Sequence, residues 1–263
     1  MRACVVFAIL VGLLAAPAPA RAEGALVIHG GGRVSSELQK RFVALGGGKH
    51  GRLVVIPTAS DNPTATEKLV AGWASWGFSS VEVLHARSRD EANDADFAAA
   101  LSTATAVWFA GGEQARLERV YRGTPVETEL HRLLARGGVI GGSSAGAAIM
   151  SQVMIRGGKT RPRMGTGLDL LPGAIIDQHF VARARVHRLL AALRKHRTLV
   201  GYGIDEGTAM IVKDSRLEVI GDSTVTVAMA ATGGEPAKLI VLADGETADL
   251  DALTDEAIER SAP

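Results

Sequence analysis

Cysteine is all but missing: the chain's 263 residues include one, Cys4. Cys4 falls in a segment that reads as removable. The mature protein is therefore expected to have no disulfide, no thiol nucleophile and no thiolate metal ligand. An excess of one charge sign is missing too. The formal net charge is +1 at pH 7, from 29 basic and 28 acidic residues; losing residues 1–22, which carry Arg2 and Arg21 and no acid, leaves 27 against 28, or −1. That balance argues against a general nucleic-acid binder. Metal and nucleotide signatures are also absent. There is no H-E-x-x-H and no tight histidine pair, so no zinc site is expected. "DEANDAD" (90–96) lacks the central Gly and distal Glu of a calcium loop. Gly30-Gly31-Gly32-Arg33 departs from G-x-G-x-x-G, and Gly48-Lys49-His50 lacks the Ser or Thr of a P-loop. No metal and no cofactor is expected.

Long hydrophobic runs are missing as well. The apolar stretch from Cys4 to Ala16 is too short to span a bilayer, which takes ~20 residues. Its flanks explain it better. Arg2 precedes it and Ala20-Arg21-Ala22 follows, the n-region, h-region and A-x-A cleavage pattern of a secretory signal peptide. Residues 1–22 are thus expected to be a signal peptide, with no retained membrane anchor, and the mature chain from Glu23 to be periplasmic or extracellular.

What is present is alternation. "ALVIHG" (25–30), "RLVVIP" (52–57), "SVEVLHA" (80–86), "AVWFAGG" (106–112) and "GVIGGSS" (138–144) read as strands. The segments 35–48, 64–77, 89–104 and 113–138 between them read as helices, three with a Ser, Thr or Asp cap and three running into Gly-rich stops. Near-continuously apolar strands alternating with helices imply a parallel sheet covered on both faces. Beyond Ser144 the pattern loosens. Residues 151–176 are rich in Gly, Arg and Met, a basic helix follows over about 181–197, and "AMIVKD", "RLEVIG", "TVTVAMA" and "KLIVLAD" read as antiparallel strands with tight turns such as Gly221-Asp222. With no linker, repeat or low-complexity tract, residues 23–263 read as one α/β domain with an additional C-terminal β region.

In a parallel α/β sheet, ligands sit beyond the carboxyl ends of the strands. Gly142-Ser143-Ser144-Ala145-Gly146 lies at such an end and fits G-x-S-x-G, in which a sharp strand-to-helix turn lifts a serine hydroxyl into the open. A plain glycine-rich turn is the alternative. Ser144 as a nucleophile needs a base, and among seven histidines His179 stands out. It follows the apolar run of "GAIIDQHF", at a second strand end, where it could take a proton from Ser144. "VARARVHRLL" then carries Arg183, Arg185 and Arg188 and no acid. On a continuous helix these three would spread over roughly 200°, a poor fit to one solvated face. A loop entering a helix, with arginines turned toward an anionic ligand, fits better. Asp205 and Glu206, in "GYGIDEGTAMIV", sit on a turn where they can orient a histidine, hold a cation or polarise the turn.

The motifs "FAGGEQARL", "GGSSAGAAIM", "GAIIDQHF" with "RARVHRLL", and "GIDEGTA" together resemble the cyanophycinases, in order and spacing, over nearly all of residues 25–245. These are serine peptidases of the dipeptidase E-like clan. The resemblance implies a three-layer α/β sandwich with a mostly parallel central sheet, similar to class I glutamine amidotransferases. It also implies cleavage of cyanophycin, a poly-aspartate backbone with arginine joined to each side-chain carboxyl, into β-Asp-Arg dipeptides. By this resemblance Ser144 is the nucleophile and His179 the base, and Gln114, Asp177, Gln178, Arg183, Arg185 and Arg188 line the substrate groove. The N–H groups of Gly112 and Ala145 are candidates for the oxyanion hole. An Asp-specific or isoaspartyl dipeptidase and a binding homologue without turnover are the alternatives. A homodimer is compatible with the sequence. Departures from the pattern are Ser143 in place of a usual threonine, Gly207 within the D-E-x-T-A motif, and no acid from Ala145 to Leu168, where a triad glutamate is expected. Asp177, Asp205 and Glu206 are the candidates to replace it, with a bare Ser–His pair as the other option.

Overall fold

A computed structural model describes residues 24–262, apart from residues 61, 62 and 95 and the side chains of 63–67 and 69. The expected signal peptide, residues 1–22, lies outside the described residues. The first half alternates as β1 (Ala25–His29), α1 (Ser36–Leu45), β2 (Arg52–Ile56), α2 (Pro63–Ala74), β3 (Ser80–Val83), α3 (Arg89–Asn93), α4 (Ala99–Thr103), β4 (Ala106–Phe109), α5 (Gln114–Tyr121), α6 (Pro125–Ala135), β5 (Val139–Ser143) and α7 (Ala145–Ala148). The second half continues with β6 (Val153–Gly157), β7 (Arg163–Thr166), β8 (Ala174–Gln178), α8 (Val186–Leu193), β9 (Val200–Ile204), β10 (Thr208–Lys213), β11 (Arg216–Gly221), β12 (Val225–Met229), β13 (Lys238–Leu242), β14 (Thr247–Asp249) and α9 (Leu250–Ser261).

The large sheet runs β14-β11-β10-β1-β5-β4-β2-β3. From β1 to β3 every pairing is parallel, whereas β10, β11 and β14 add to its other edge antiparallel. Alternate side chains of one strand go to opposite faces. Ala25 and Val27 of β1 join Leu38, Phe42 and Trp73 of α1 and α2 on one side. Leu26 and Ile28 join Leu117, Leu130 and Leu133 of α5 and α6 on the other. Helices therefore cover both faces, the reason the strand sequences show no polar alternation. A second sheet, β13-β12-β9-β8, shares the core on the α5 and α6 side through Ile176, Tyr202 and Val227. Its outer face packs Ile175 and Ala228 against Leu189 and Leu193 of α8.

The expected C-terminal β region is thus divided between two sheets. Two expected helices are also divided. Gly123, at φ +70, turns the chain between α5 and α6, and Pro125 starts α6 at a position where its missing N–H is harmless. The 89–104 segment forms α3 and α4. The basic helix is shorter than expected: α8 begins at Val186, and residues 180–185 form a turn before it. The hairpin β6–β7 and helix α9 were not legible in advance. Asp249 caps α9 by accepting from the N–H groups of Asp251 and Ala252. Among the described residues no helix is long and apolar enough to cross a membrane.

Candidate active site

Register brings the carboxyl ends of β1, β4 and β5 together: Ile28 and Phe109 both flank Gly142, and His29 pairs with Ser143. Ser144 is the next residue, held at φ 54 and ψ −105 between β5 and α7. A non-glycine residue held there carries strain of about 1–3 kcal/mol and needs its surroundings to fix it. Two glycines make the turn possible. A Cβ on Gly142 would lie 2.5 Å from the Gly146 carbonyl oxygen, and one on Gly146 would lie 2.4 Å from that of Phe109. The Ser144 N–H donates to the His29 carbonyl at 3.0 Å, fixing the turn to β1.

His179, also at positive φ (50°), follows the last residue of β8. Its N–H donates to the Gly30 carbonyl at 2.8 Å, so the end of β1 anchors both residues. Its ring bridges Ser144 Oγ, 2.7 Å from Nε2, and Glu206 Oε1, 2.5 Å from Nδ1. Gly31 lies against the ring, where an added Cβ would come within 2.3 Å of it, and the Gly31 carbonyl accepts from the Gly207 N–H at 2.9 Å beside Glu206. The Gly30–Gly32 turn, which carries no nucleotide motif, is thus a wall of this site. Burial lowers the His179 pKa below its ordinary value. The hydrogen bond to Glu206 pulls it back, and the charge of Arg183 pushes it down again. His179 is therefore a neutral acceptor near pH 7. A serine hydroxyl, an imidazole and a carboxylate in line at these distances can transfer a proton away from Ser144.

Of the three candidate carboxylates, the structure places Glu206 on His179. Asp205 is turned elsewhere. It accepts from the N–H groups of Val181 (3.0 Å) and Ala182 (2.9 Å) and from the Ser223 hydroxyl (2.9 Å). Burial opposes its ionisation, but the hydrogen bonds, led by that from Ala182, outweigh burial and hold its carboxyl below the usual range. It clamps the turn that follows His179. Asp177 is 1% exposed. It receives Arg188 in a two-pronged pair, with Nε 2.9 Å from Oδ2 and Nη2 on Oδ1, and Arg185 Nη1 at 3.5 Å.

That pairing corrects the groove expectation for two residues. Asp177 and Arg188, the latter 3% exposed, form an interior ion pair and do not line an open groove. Gln114, also buried, uses Nε2 to donate to the Ile155 carbonyl at 2.9 Å. Gln178 is buried and accepts from Arg185 through both its side chain and its backbone carbonyl. Arg185 is half-buried, and burial, then the charge of Arg188, brings its pKa to about 10. Arg183 is exposed and close enough to His179 to act on it electrostatically. The turn Gly111-Gly112 abuts Ser144: an added Cβ on Gly111 would lie 3.6 Å from Ser144 Cβ, and Gly112 holds φ +144, open to glycine alone. Ala145 is the first residue of α7, where N–H groups lack intrahelical acceptors. Among the described residues no group of three or more potential ligands could hold a metal ion.

Sequence reasoning missed His29. It is fully buried, its Nδ1 lies 2.9 Å from Ser143 Oγ, and its Nε2 has no hydrogen-bond partner among the described residues. Burial lowers its pKa to about 4. Its side chain holds Ser143 while its carbonyl holds Ser144. The available signal was a polar residue ending an apolar strand just before a glycine run.

Comparison with known proteins bears on the family and the fold. The model of peptidase family S51 matches residues 26–220. The cyanophycinase of Geminocystis herdmanii is 37% identical over 210 residues, which are 76% of this chain and 75% of that protein. The cyanophycinase of Trichormus variabilis is 36% identical over 202 residues, 73% of this chain and 67% of its own. Among solved structures, a peptidase from an acI-B1 Actinobacterium superposes with a TM-score of 0.68 at 21% identity, covering 87% of this chain and 98% of its own. A putative peptidase E protein from Listeria monocytogenes does so with a TM-score of 0.54 at 16% identity, over 76% of this chain and 99% of its own. At those identities the two structures speak to the fold alone.

Proposed function

Because this chain belongs to peptidase family S51 and is a serine-type, cyanophycinase-like peptidase, we propose that it cleaves the poly-aspartate backbone of cyanophycin to β-Asp-Arg dipeptides through Ser144, His179 and Glu206. The observation that carries this reading is the continuous contact from Ser144 Oγ through the His179 ring to Glu206, at 2.7 and 2.5 Å. Ser144 Oγ attacks the backbone carbonyl carbon while its proton passes to His179 Nε2. Glu206 accepts from Nδ1–H, which fixes the tautomer and stabilises the imidazolium. The tetrahedral oxyanion is placed against the N–H groups of Gly112 and Ala145. Its collapse expels the amine, which takes the proton from His179 and leaves an acyl group on Ser144. Water, deprotonated by the same imidazole, then releases the acid and restores the serine.

The charge around the site suits this substrate. Each repeat of the polymer carries the free carboxylate of its arginine. Arg183 is exposed beside His179, and Arg185 is only partly offset, since Asp177 is shared with Arg188. Export belongs to the same reading. Arg2, the apolar run and Ala20-Arg21-Ala22 support removal of residues 1–22, and an exported enzyme would meet polymer released from other cells. N-terminal sequencing of secreted protein should begin at Glu23; an intact Met1 would remove the export reading.

The test is incubation of the purified mature chain with cyanophycin, following β-Asp-Arg by mass spectrometry, beside Ser144→Ala. Release that vanishes in Ser144→Ala is expected. Release that survives the substitution would discard Ser144 as nucleophile. No release by the unsubstituted chain would discard cyanophycin as substrate.

A further inference from the structure

The β6–β7 hairpin stands apart as a two-stranded sheet. Hairpins of that size are marginal alone and need outside support. Its own Met154 and Ile155 are buried in two different parts of the core, and polar contacts pin its edges. Gln114 Nε2 donates to the Ile155 carbonyl at 2.9 Å, Arg188 Nη1 donates to that of Gly158 at 2.6 Å, and Glu118 accepts from Arg156 Nε at 2.8 Å and the Thr166 N–H at 3.0 Å. Gln114 comes two residues after the Gly112 turn beside Ser144. Arg188 is held by Asp177, two residues before His179. The hairpin is therefore fixed between the two sides of the site, by residues whose polar groups the substrate was expected to use.

Its tip is basic. Glu118 neutralises Arg156. Lys159, Arg161 and Arg163 are exposed, and none has an ion pair among the described residues. No acid occurs between Ala145 and Leu168. An ordinary solvated surface on a charge-balanced protein mixes signs, whereas this run presents one sign on a hairpin tied to Gln114 and Arg188 and offers pairing to carboxylates that come within reach. The tip is also preformed. Gly158 sits at φ +96, where an added Cβ would lie 2.1 Å from the Arg161 carbonyl oxygen, and Pro162 restricts the return.

We propose that this hairpin is a substrate-binding arm whose tip, Lys159, Arg161 and Arg163, takes carboxylates of the polymer several repeats from the scissile bond, so that the enzyme favours long chains over short ones. The proposal rests on the cyanophycin reading above. On this proposal a two-repeat chain held at Ser144 stops short of the tip. A long one adds exposed charge pairs, each weak and sensitive to salt.

The test compares kcat and KM of the unsubstituted enzyme and of Lys159→Gln/Arg161→Gln on long cyanophycin chains and on a two-repeat (β-Asp-Arg) chain. The double variant alters only exposed side chains, and its thermal melt should match. For long chains KM should rise about 2- to 25-fold at low salt with kcat unchanged, from two pairs of about 1.4- to fivefold each. The short chain should show no change, and 1 M salt should remove the difference. Equal KM for both proteins on long chains, an equal rise on both chain lengths, or a rise that persists at high salt would overturn the arm. An unsubstituted enzyme that cleaves neither chain would overturn the cyanophycin reading and the arm with it, an outcome distinct from failure of the arm alone.

Discussion

Glutamine at position 206 tests the acid end of the relay. Glu206→Gln keeps the shape of the side chain but removes its charge, and it can turn an amide N–H toward His179 Nδ1. That favours the tautomer with its proton on Nε2, which cannot accept from Ser144. Two effects set the size of the loss. A hydrogen bond to a charged group contributes about 1.5–3 kcal/mol. The Glu206 side chain is 43% exposed, and solvent screens it, so the lower figure applies, about tenfold in rate. The tautomer effect is larger, up to about 10⁴-fold where a buried triad acid is replaced by its amide. An exposed carboxylate should fall between these limits, and kcat for β-Asp-Arg release is expected to drop about 10²-fold with an unchanged melting temperature. The pH profile gives a second readout. Glu206 raises the His179 pKa against the lowering by burial. Removing it moves the acid limb of kcat/KM to lower pH, because the imidazole must be neutral to accept. A kcat within about twofold of the unsubstituted enzyme would show that Glu206 does not orient His179.

Arg183→Gln should shift the same acid limb the other way, to higher pH, since the Arg183 charge lowers the His179 pKa; a profile superimposable on the unsubstituted one would remove that coupling. His29 binds no proton in the folded state until about pH 4, but binds one near pH 6.5 when unfolded. Stability should therefore fall as pH drops through that window, by about 3 kcal/mol, and level off below it. Urea melts of His29→Gln should lack that share of the slope, and an unchanged slope would place the titration on another group. Asp177→Ala leaves Arg188 buried without its partner and should cost about 3–5 kcal/mol in urea unfolding; a loss under 1 kcal/mol would mean that Arg188 finds water.

The parallel half of the fold was legible because its strands are buried on both faces, so Leu26–Ile28, Val54–Ile56 and Val107–Phe109 read as unbroken apolar runs. Ser144 and His179 were legible because each ends such a run beside small or polar neighbours. Glu206 was legible only as one of three carboxylates. Which of them meets His179 depends on the Gly31 carbonyl holding the Gly207 N–H, a contact between distant segments that no local spacing records. Arg188 looked like its neighbours Arg183 and Arg185. The helix that begins at Val186 turns it inward onto Asp177 and leaves Arg183 outside. His29 was invisible because a histidine at the end of "ALVIH" says nothing of Ser143, which joins it only through parallel pairing of β1 with β5. The single helix expected over 113–138 failed at Gly123 and Pro125, two local signals overridden in the reading by the apolar period on either side.

The nucleophile itself is the claim on which the rest depends, and labelling the folded chain with a fluorophosphonate, followed by peptide mapping, tests it most directly. One adduct is predicted, on Ser144, absent from Ser144→Ala and strongly slowed in His179→Ala. An adduct on Ser143 or any other residue, or equal labelling of Ser144→Ala, would contradict the account.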